Sequence, residues 1–288
     1  MAEKAVYKKK KKKITLFEVV NYVVFVLIGL LILVPIWKVV VDSFNAVGVY
    51  QFRLWPDKFT LGGYQTILEQ ATLIRPFINS IVTTVFGALL GLTLSTLGGY
   101  VLIQFDMPGR GLFATFLTIT MIFSGGMIPE YLVMKELGLV NSMWILVVKH
   151  GMSVYNLVLM RNFFEGIPAS LYESAKIDGC SPMGIFFRIV LPLSKAALAS
   201  IGLMFAVGVW NDYSTVKIYI TDPEQVNFQY KLGQMTADGG STPNTSYAIP
   251  SATLYNACIV MAVLPFMMLY PFLQKYFVKG VNIGAVKE

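Results

Sequence analysis

The stretch ESAKIDGCSPMGIFFRIVLP, which begins at Glu173, carries four charged side chains in a chain whose other long segments are mostly apolar. Ser170 and Glu173 have the spacing of a capping box, which predicts the start of a short helix. Gly179 suits the left-handed position that ends such a helix, and Ser181 with Pro182 supplies the cap and first turn of a second one. The pattern therefore predicts two short helices joined by a glycine turn, with a mixed surface that needs a partner.

Other kinds of chemistry find little support in residue type and spacing. The single histidine and the two separated cysteines, Cys180 and Cys258, indicate neither a metal centre nor a disulfide. No Gly-Lys dipeptide occurs, so the chain lacks the loop that cradles nucleotide phosphates. No nucleophile, acid-base pair or metal cluster has usable spacing. We therefore expect a chain that is not an enzyme, holds no metal or cofactor, and leaves any ATP hydrolysis to another protein.

The elements that position these residues are predicted to cross a membrane. Apolar residues make up 56% of the 288 residues and charged residues only 14%, well below the roughly 25% charged of soluble domains. The apolar runs lack the alternation of a membrane barrel, so helices must satisfy the backbone in lipid. At about 20 residues per crossing, the sequence predicts an all-α membrane protein with spans at 19–41, 77–103, 112–134, 144–160, 196–220 and 252–273.

The basic residues indicate the orientation of these spans. Most of the net charge of +7 comes from the N-terminal segment, where residues 8–13 are all lysine just before the first apolar run. Such a block is typical of a cytoplasmic anchor rather than a nucleic-acid site. A cleavable signal peptide is disfavoured because the apolar run is long and lacks a prompt cleavage site. We expect a basic tail at 1–14, a transmembrane region at 15–276 and a tail at 277–288, with both termini cytoplasmic in a bacterial plasma membrane.

With that orientation the opening stretch lies in an inner loop, at about 165–195. An amphipathic segment lying on lipid head groups is one interpretation of it. A DNA-reading helix-turn-helix is another, although the small basic charge and the tethering at both ends disfavour it.

The spacing of the stretch resembles a known loop. Glu173-Ser174-Ala175 is followed after three residues by Gly179, and after nine more by a segment that runs from Ile189 through Leu191 to Pro192. This resembles the EAA loop of binding-protein-dependent ABC importer permeases, with Ser174 replacing the middle alanine. The segments RNFFEGIP from Arg161 and YPFLQKYFVKG from Tyr270 are similar to the sugar-importer branch related to the maltose system. FSGGMIP from Phe123 and WNDY from Trp210 resemble permeases for complex oligosaccharides, including uronate-rich plant glycans.

The resemblance implies a type I importer permease whose loop docks into a separate cytoplasmic ATPase. Glu173 would make a polar contact with the ATPase, Ala175 would allow close approach, and Gly179 would form the turn. The remaining coupling candidates are Ser174, Asp178, Ile189, Leu191 and Pro192. The resemblance also implies a set of partners: a second homologous permease that forms a heterodimer with this chain, two ATPase subunits that hold ATP and Mg²⁺, an extracytoplasmic sugar-binding protein and an oligosaccharide substrate.

Candidate residues for the substrate path lie in the predicted spans. Gly125 and Gly126, with Ser124, could break a helix and expose backbone to a cavity, and close helix packing is the alternative explanation for these glycines. Ionisable Lys149 and His150 must face protein or water, whether they contact a neighbouring helix or the substrate. The stacking and hydrogen-bonding groups that suit a sugar, or alternatively an aromatic belt, are Trp210, Asn211, Asp212 and Tyr213.

Two further alternatives remain open from the sequence. An ion-coupled secondary transporter would also have buried charges, but it needs no EAA loop, and no internal repeat is evident. A membrane-tethered enzyme would need the catalytic groups that are missing here. The polar outer loop 221–250, with Gly239, Gly240, Pro243 and Asn244, could reach a sugar-binding protein or simply be solvated.

Overall fold

The computed structural model describes residues 15–47, 52–104, 106–237 and 249–284. The basic tail 1–14 and the loop residues Gly239, Gly240, Pro243 and Asn244 lie outside these ranges. Within them the chain is helical, and the helices are α1 (Leu16–Ser43), α2 (Gly62–Glu69), α3 (Ala71–Ile103), α4 (Arg110–Ile122), α5 (Met127–Glu136), α6 (Trp144–His150), α7 (Val154–Glu165), α8 (Ala169–Ile177), α9 (Pro182–Ile185), α10 (Leu191–Leu193), α11 (Lys195–Trp210), α12 (Ser214–Tyr219), α13 (Phe228–Ala237) and α14 (Ser251–Gly284). The predicted all-α membrane fold is confirmed.

In the part of the chain that the structure describes, three stretches of helix are long and apolar enough to cross a membrane unbroken. They are α1, α3 and the Ser251–Phe272 part of α14. At 1.5 Å per residue, the 33 residues of α3 exceed the ~30 Å hydrocarbon core. α14 continues to Gly284, past the boundary that the sequence placed at 276.

The prediction of six continuous spans is not confirmed, because three of the apolar runs are broken. α4 and α5 form a bent pair with an angle of 113° at Gly125 and Gly126. The run 144–160 divides into α6 and α7, and Ser153 caps the second helix by accepting from the Asn156 amide. Hydropathy averages over such breaks, whereas a glycine or a capping hydroxyl ends a helix locally.

The run 196–220 is also divided. Residues 211–213 separate α11 from α12, and the segment Pro182–Leu193 meets α11 at 82°. The segment Pro182–Leu193 of the inner loop is therefore continuous with α11 through a sharp bend. This bent segment connects residues 165–195 to residues 210–213.

Close packing of α3 against its neighbours forms the centre of the molecule. A Cβ atom on Gly91 would lie 2.5 Å from the Phe205 ring of α11, and one on Gly99 would lie 3.1 Å from the backbone nitrogen of Arg161 in α7. Glycine at these positions lets three helices approach closely, as in other membrane bundles. A buried cluster that includes Tyr100, Phe164 and Phe205 continues from there to the inner loop.

Candidate coupling loop and substrate groove

The first helix of the inner loop begins earlier than the sequence predicted. α8 starts at Ala169 with Pro168 at its N-cap, and no side chain caps it. The predicted capping box between Ser170 and Glu173 is therefore wrong. Pro168 already stands at the non-helical position before the helix, and its carbonyl accepts from the Leu171 amide, so Ser170 is within the first turn and cannot be the cap.

The turn after α8 matches the prediction. Gly179 has φ +76°, the left-handed conformation expected for the residue after a helix. The Gly179 amide donates to the Lys176 carbonyl at 3.1 Å, and the Cys180 amide donates to the Ala175 carbonyl at 2.9 Å. These two bonds form a Schellman motif. The Ser181 hydroxyl then accepts from the Gly184 amide at 3.1 Å and caps α9, so the chain direction is fixed by hydrogen bonds.

One face of this helix pair is held on the transmembrane core. Ala175 is only 5% exposed and packs in the cluster that contains Ile185 and Phe186. The Tyr100 hydroxyl of α3 donates to the Pro182 carbonyl at 2.7 Å. Ala175 therefore packs closely against the chain's own core, and its expected role in close approach of the ATPase stays a prediction.

The opposite face of the pair is open. Glu173, Ser174 and Asp178 are exposed, and Ile177 is 86% exposed. The Glu173 carboxylate has no hydrogen bond or ion pair within the described ranges. An exposed isoleucine beside an uncompensated carboxylate is an apolar and polar surface of the kind that a protein partner covers.

Pro192 restarts the helix rather than ending it. The five residues Phe186–Val190 form a π-helical turn, α10 follows, and the Ser194 amide donates to the Val190 carbonyl at 3.0 Å. Ile189 and Leu191 are partly buried against the core cluster, whereas Pro192 is exposed. These three residues therefore connect the loop to α11.

A cavity of about 500 Å³ lies beside α8, and both Glu173 and Lys176 line it. Arg161 binds Glu165 at 2.9 Å near this cavity, and Lys176 lies 3.5 Å from Asp106. Burial, with a smaller contribution from Tyr100, raises the pKa of Tyr172 to about 12. Tyr172 thus stays protonated and can keep donating to the Phe164 carbonyl at 3.3 Å.

The second candidate site is a groove of about 760 Å³ between α11, α13 and α14. Asn211 and Tyr213 line it, as predicted for a substrate path. Gln229 of α13 donates to the Asn211 side-chain oxygen at 3.2 Å, and the Tyr213 and Tyr230 rings lie 5.5 Å apart. The groove therefore combines aromatic faces with amide groups.

Trp210 contributes to the same groove only as a wall. Its side chain is buried, at 3% exposure, and its indole nitrogen donates to the Ala262 carbonyl at 3.1 Å. Phe77 and Phe266 pack edge-on against it. Because its only donor is satisfied internally, Trp210 cannot use that N–H to bind a sugar hydroxyl.

Asp212 points away from the groove. Its carboxylate is hydrogen-bonded to the His150 ring at 2.8 Å and accepts from the Thr215 amide at 2.9 Å. Lys149, the neighbour of His150, binds Glu130 at 3.0 Å. These ionisable residues thus join the broken helices to one another, as expected for charges at membrane depth, and they do not line the groove.

Ser124, Gly125 and Gly126 form the break between α4 and α5. Gly126 has φ +89°, and its amide donates to the Ser124 hydroxyl at 3.3 Å. All three residues are exposed, and none lines the groove. The structure therefore confirms the predicted break but does not bring it together with residues 210–213.

The sequence reasoning missed the residues that α13 and α14 bring to the groove. The segment 221–250 was interpreted as a polar outer loop, yet α13 lies inside it. The glycine there, Gly233, faces the Tyr213 ring, and Thr236 hydrogen-bonds the Tyr255 hydroxyl at 2.7 Å. Apolar residues three and four apart, such as Phe228 and Leu232, were the available signal for a helix in this segment.

Comparison with known proteins identifies the family. Residues 112–283, more than half of the chain, match the family described as binding-protein-dependent transport system inner membrane component. The chain belongs to this family. Its members are transport components, so this chain is a multi-pass permease subunit and not itself an enzyme, and the family assignment leaves the secondary-transporter alternative without support.

Individual relatives agree with this assignment over most of their length. A permease of Bacillus subtilis named for polygalacturonan/rhamnogalacturonan transport is 38% identical over 286 residues, which cover 94% of this chain and 98% of that one. A chain of a bacterial ABC transporter that imports the acidic polysaccharide alginate superposes with a TM-score of 0.84 at 30% identity, covering 95% of this chain and 99% of that one. A chain from an alginate transporter in complex with a pentasaccharide-bound periplasmic protein shares the fold, with a TM-score of 0.58 at 12% identity, covering 89% and 92% of the two chains.

Proposed function

We propose that this permease moves an oligosaccharide into the cytoplasm and is coupled through residues 165–195 to a separate ATPase. The observation that carries the proposal is the construction of that loop. Its Schellman turn and its core contacts hold one face of the helix pair, while Glu173 and Ile177 remain exposed on the other. A rigid pair of this kind transmits a displacement of its partner to α11 instead of absorbing it.

The coupling surface comprises Glu173, Ser174, Asp178 and Ile177, with Gly179 as the turn. Ala175, Ile189, Leu191 and Pro192 act from behind it, because they fix the loop to the core and to α11. We propose that closure of the ATPase around ATP displaces this surface and rotates the spans between inward and outward states. ATP and Mg²⁺ are held by the ATPase, and this chain needs no cofactor of its own.

We propose an oligosaccharide rich in uronic acid as the substrate. The relatives named for polygalacturonan/rhamnogalacturonan and for alginate support this class. The remaining subunits are a second permease in a heterodimer, two ATPases and an extracytoplasmic sugar-binding protein. The sugar-binding protein is supported by the similar alginate transporter, which was solved in complex with a periplasmic protein that binds an alginate pentasaccharide.

Reconstitution of the assembled complex in proteoliposomes tests the function. We expect uptake of oligogalacturonate that requires ATP and the binding protein, and that persists when ionophores collapse ion gradients. Uptake without ATP, driven by an ion gradient, would instead assign the chain to secondary transport.

The proposed orientation places residues 165–195 and both termini in the cytoplasm. Introduced cysteines test it in a Cys180→Ser background, since Cys258 is buried. A membrane-impermeant maleimide should label Pro223→Cys in intact cells, and it should label Ser174→Cys only after permeabilisation. Labelling with the reverse pattern would invert the topology.

A further inference from the structure

The groove between α11, α13 and α14 presents neutral polar groups, and none of the described residues that line it is charged. Gln229 donates one amide hydrogen to Asn211, which leaves the Gln229 oxygen and the Asn211 amide hydrogens free of other partners in the described part of the chain. Such groups can bind vicinal hydroxyls, and the rings of Tyr213 and Tyr255 offer faces on which a pyranose can stack.

The acidic residue nearest to the groove in the sequence, Asp212, does not contribute its carboxylate to the groove lining. Asp212 lies between Asn211 and Tyr213, but its carboxylate is held by His150 and by the Thr215 amide. The described lining of the groove therefore carries no negative charge that would repel an anionic sugar.

A positively charged side chain, that of Lys217, lies beside the groove. Lys217, one helical turn after Tyr213, is exposed, and its ammonium lies 5.7 Å from the centre of the Tyr213 ring. It has no carboxylate partner within the described ranges, whereas Arg75 binds Glu224 at 2.6 Å and Lys149 binds Glu130. The Lys217 ammonium is thus available to a charged ligand that stacks on Tyr213.

We propose that this groove is a binding site for a uronate unit of the transported oligosaccharide. Asn211 and Gln229 bind hydroxyls, Tyr213 supports the sugar ring, and Lys217 binds the carboxylate and determines the preference for acidic sugars. This inference rests on the proposed import function and adds to it a specificity-determining residue that sequence reasoning did not identify.

The test compares uptake of trigalacturonate with uptake of its methyl triester, which has the same ring structure without the charges. Both are assayed with the same binding protein in proteoliposomes that hold the complete complex. Lys217→Gln should lower the ratio of acid to ester uptake about tenfold, as expected for loss of one charge-assisted contact. Lys217→Arg should keep most of the preference, and Lys58→Gln, which removes an exposed lysine outside the groove, should leave the ratio unchanged.

Gln229→Ala and Asn211→Ala should lower uptake of both sugars by a similar factor, and Gln65→Ala on α2 should change neither. The amount of protein in the membrane and capture of the second permease should remain at the wild-type level in all variants. An unchanged acid-to-ester ratio in Lys217→Gln would overturn the inference while the import function stands. If the groove variants no longer capture the second permease, the groove is a subunit interface and the inference is overturned. If the wild-type complex takes up neither sugar, both the inference and the proposed import function are overturned.

Discussion

The candidate coupling loop and the groove between α11, α13 and α14 lie at the two ends of α11 and are built in opposite ways. The loop is continuous in sequence, and short-range hydrogen bonds at Gly179 and Ser181 set its shape. The groove brings together residues from α11, α13 and α14 that are up to 67 positions apart, from Leu203 to Tyr270. α11 has 16 residues, about 24 Å at 1.5 Å per residue, so one helix connects the two regions.

The polar contacts of the two regions differ in the same way. Asn79 of α3 donates to the carbonyls of Glu224 and Val226, and the Phe228 amide donates to the Ser80 hydroxyl at 2.8 Å. These bonds hold the start of α13 to a helix almost 150 residues earlier. A change in the loop should therefore act on its external partner, whereas a change near the groove should act through internal packing as well.

The largest expected effect follows reversal of the charge at Glu173. Glu173→Lys should abolish ATPase capture and lower uptake more than tenfold, because the side chain has no partner in the described part of this chain and its loss should leave the fold unchanged. Pull-down of the ATPase and uptake are the measurements. Glu173→Gln, which keeps the shape, should retain partial capture, and wild-type activity of Glu173→Lys would show that the face is merely solvated.

A slightly smaller effect is expected from the glycine turn. Gly179→Val forces a β-branched residue into the left-handed region at a cost of about 1–2 kcal/mol, although a Cβ atom there meets nothing within 4 Å. Uptake and stimulated ATP hydrolysis should fall severalfold, with normal amounts in the membrane. Gly179→Asn is the matched control, because asparagine tolerates this conformation. Equal loss in both variants would indicate that side-chain contact with the partner, rather than backbone conformation, matters here.

In the groove, adding one methyl group at Gly233 should weaken transport without changing capture of the ATPase. A Cβ atom on Gly233 would overlap the Tyr213 ring, so Gly233→Ala should shift that ring and raise the KM of uptake by a few fold. ATPase capture should be unaffected. Gly202→Ala in α11 is the control, since its Cβ would lie 3.4 Å from Leu92 in ordinary contact. A loss of ATPase capture in Gly233→Ala alone would show that the two regions are not separable.

The smallest effect is expected at Asp212. Asp212→Ala removes the His150 contact and the hydrogen bond from the Thr215 amide, and a lost hydrogen bond costs about 1 kcal/mol. The complex should melt at a temperature a few degrees lower and transport less in proportion, with its preference between acidic and neutral sugars unchanged. Asp212→Asn keeps an acceptor for the Thr215 amide and should recover much of the melting temperature. A changed sugar preference in Asp212→Ala would place this carboxylate in the substrate path after all.

Local chemistry accounts for what the sequence predicted well. The apolar runs required helices in lipid, and the spacing from Glu173 to Pro192 contained both the glycine turn and the Ser181 cap. Such features depend on a few neighbouring residues, so they can be recognised without a tertiary structure. The prediction of a capping box at Ser170 was wrong, and the cause is also local: Pro168 occupies the N-cap, so the helix begins before Ser170.

Tertiary structure alone decided which side chains face one another. Trp210, Asn211, Asp212 and Tyr213 are consecutive in sequence, yet the end of α11 at Trp210 sends them in different directions. Trp210 is bonded to Ala262 and Asp212 to His150, which leaves Asn211 and Tyr213 for the groove. Gln229 and Lys217 gained their candidate roles in the same way. A sequence fixes the types of these groups, but their partners depend on contacts between helices that are distant in the chain, and no local pattern encodes those contacts.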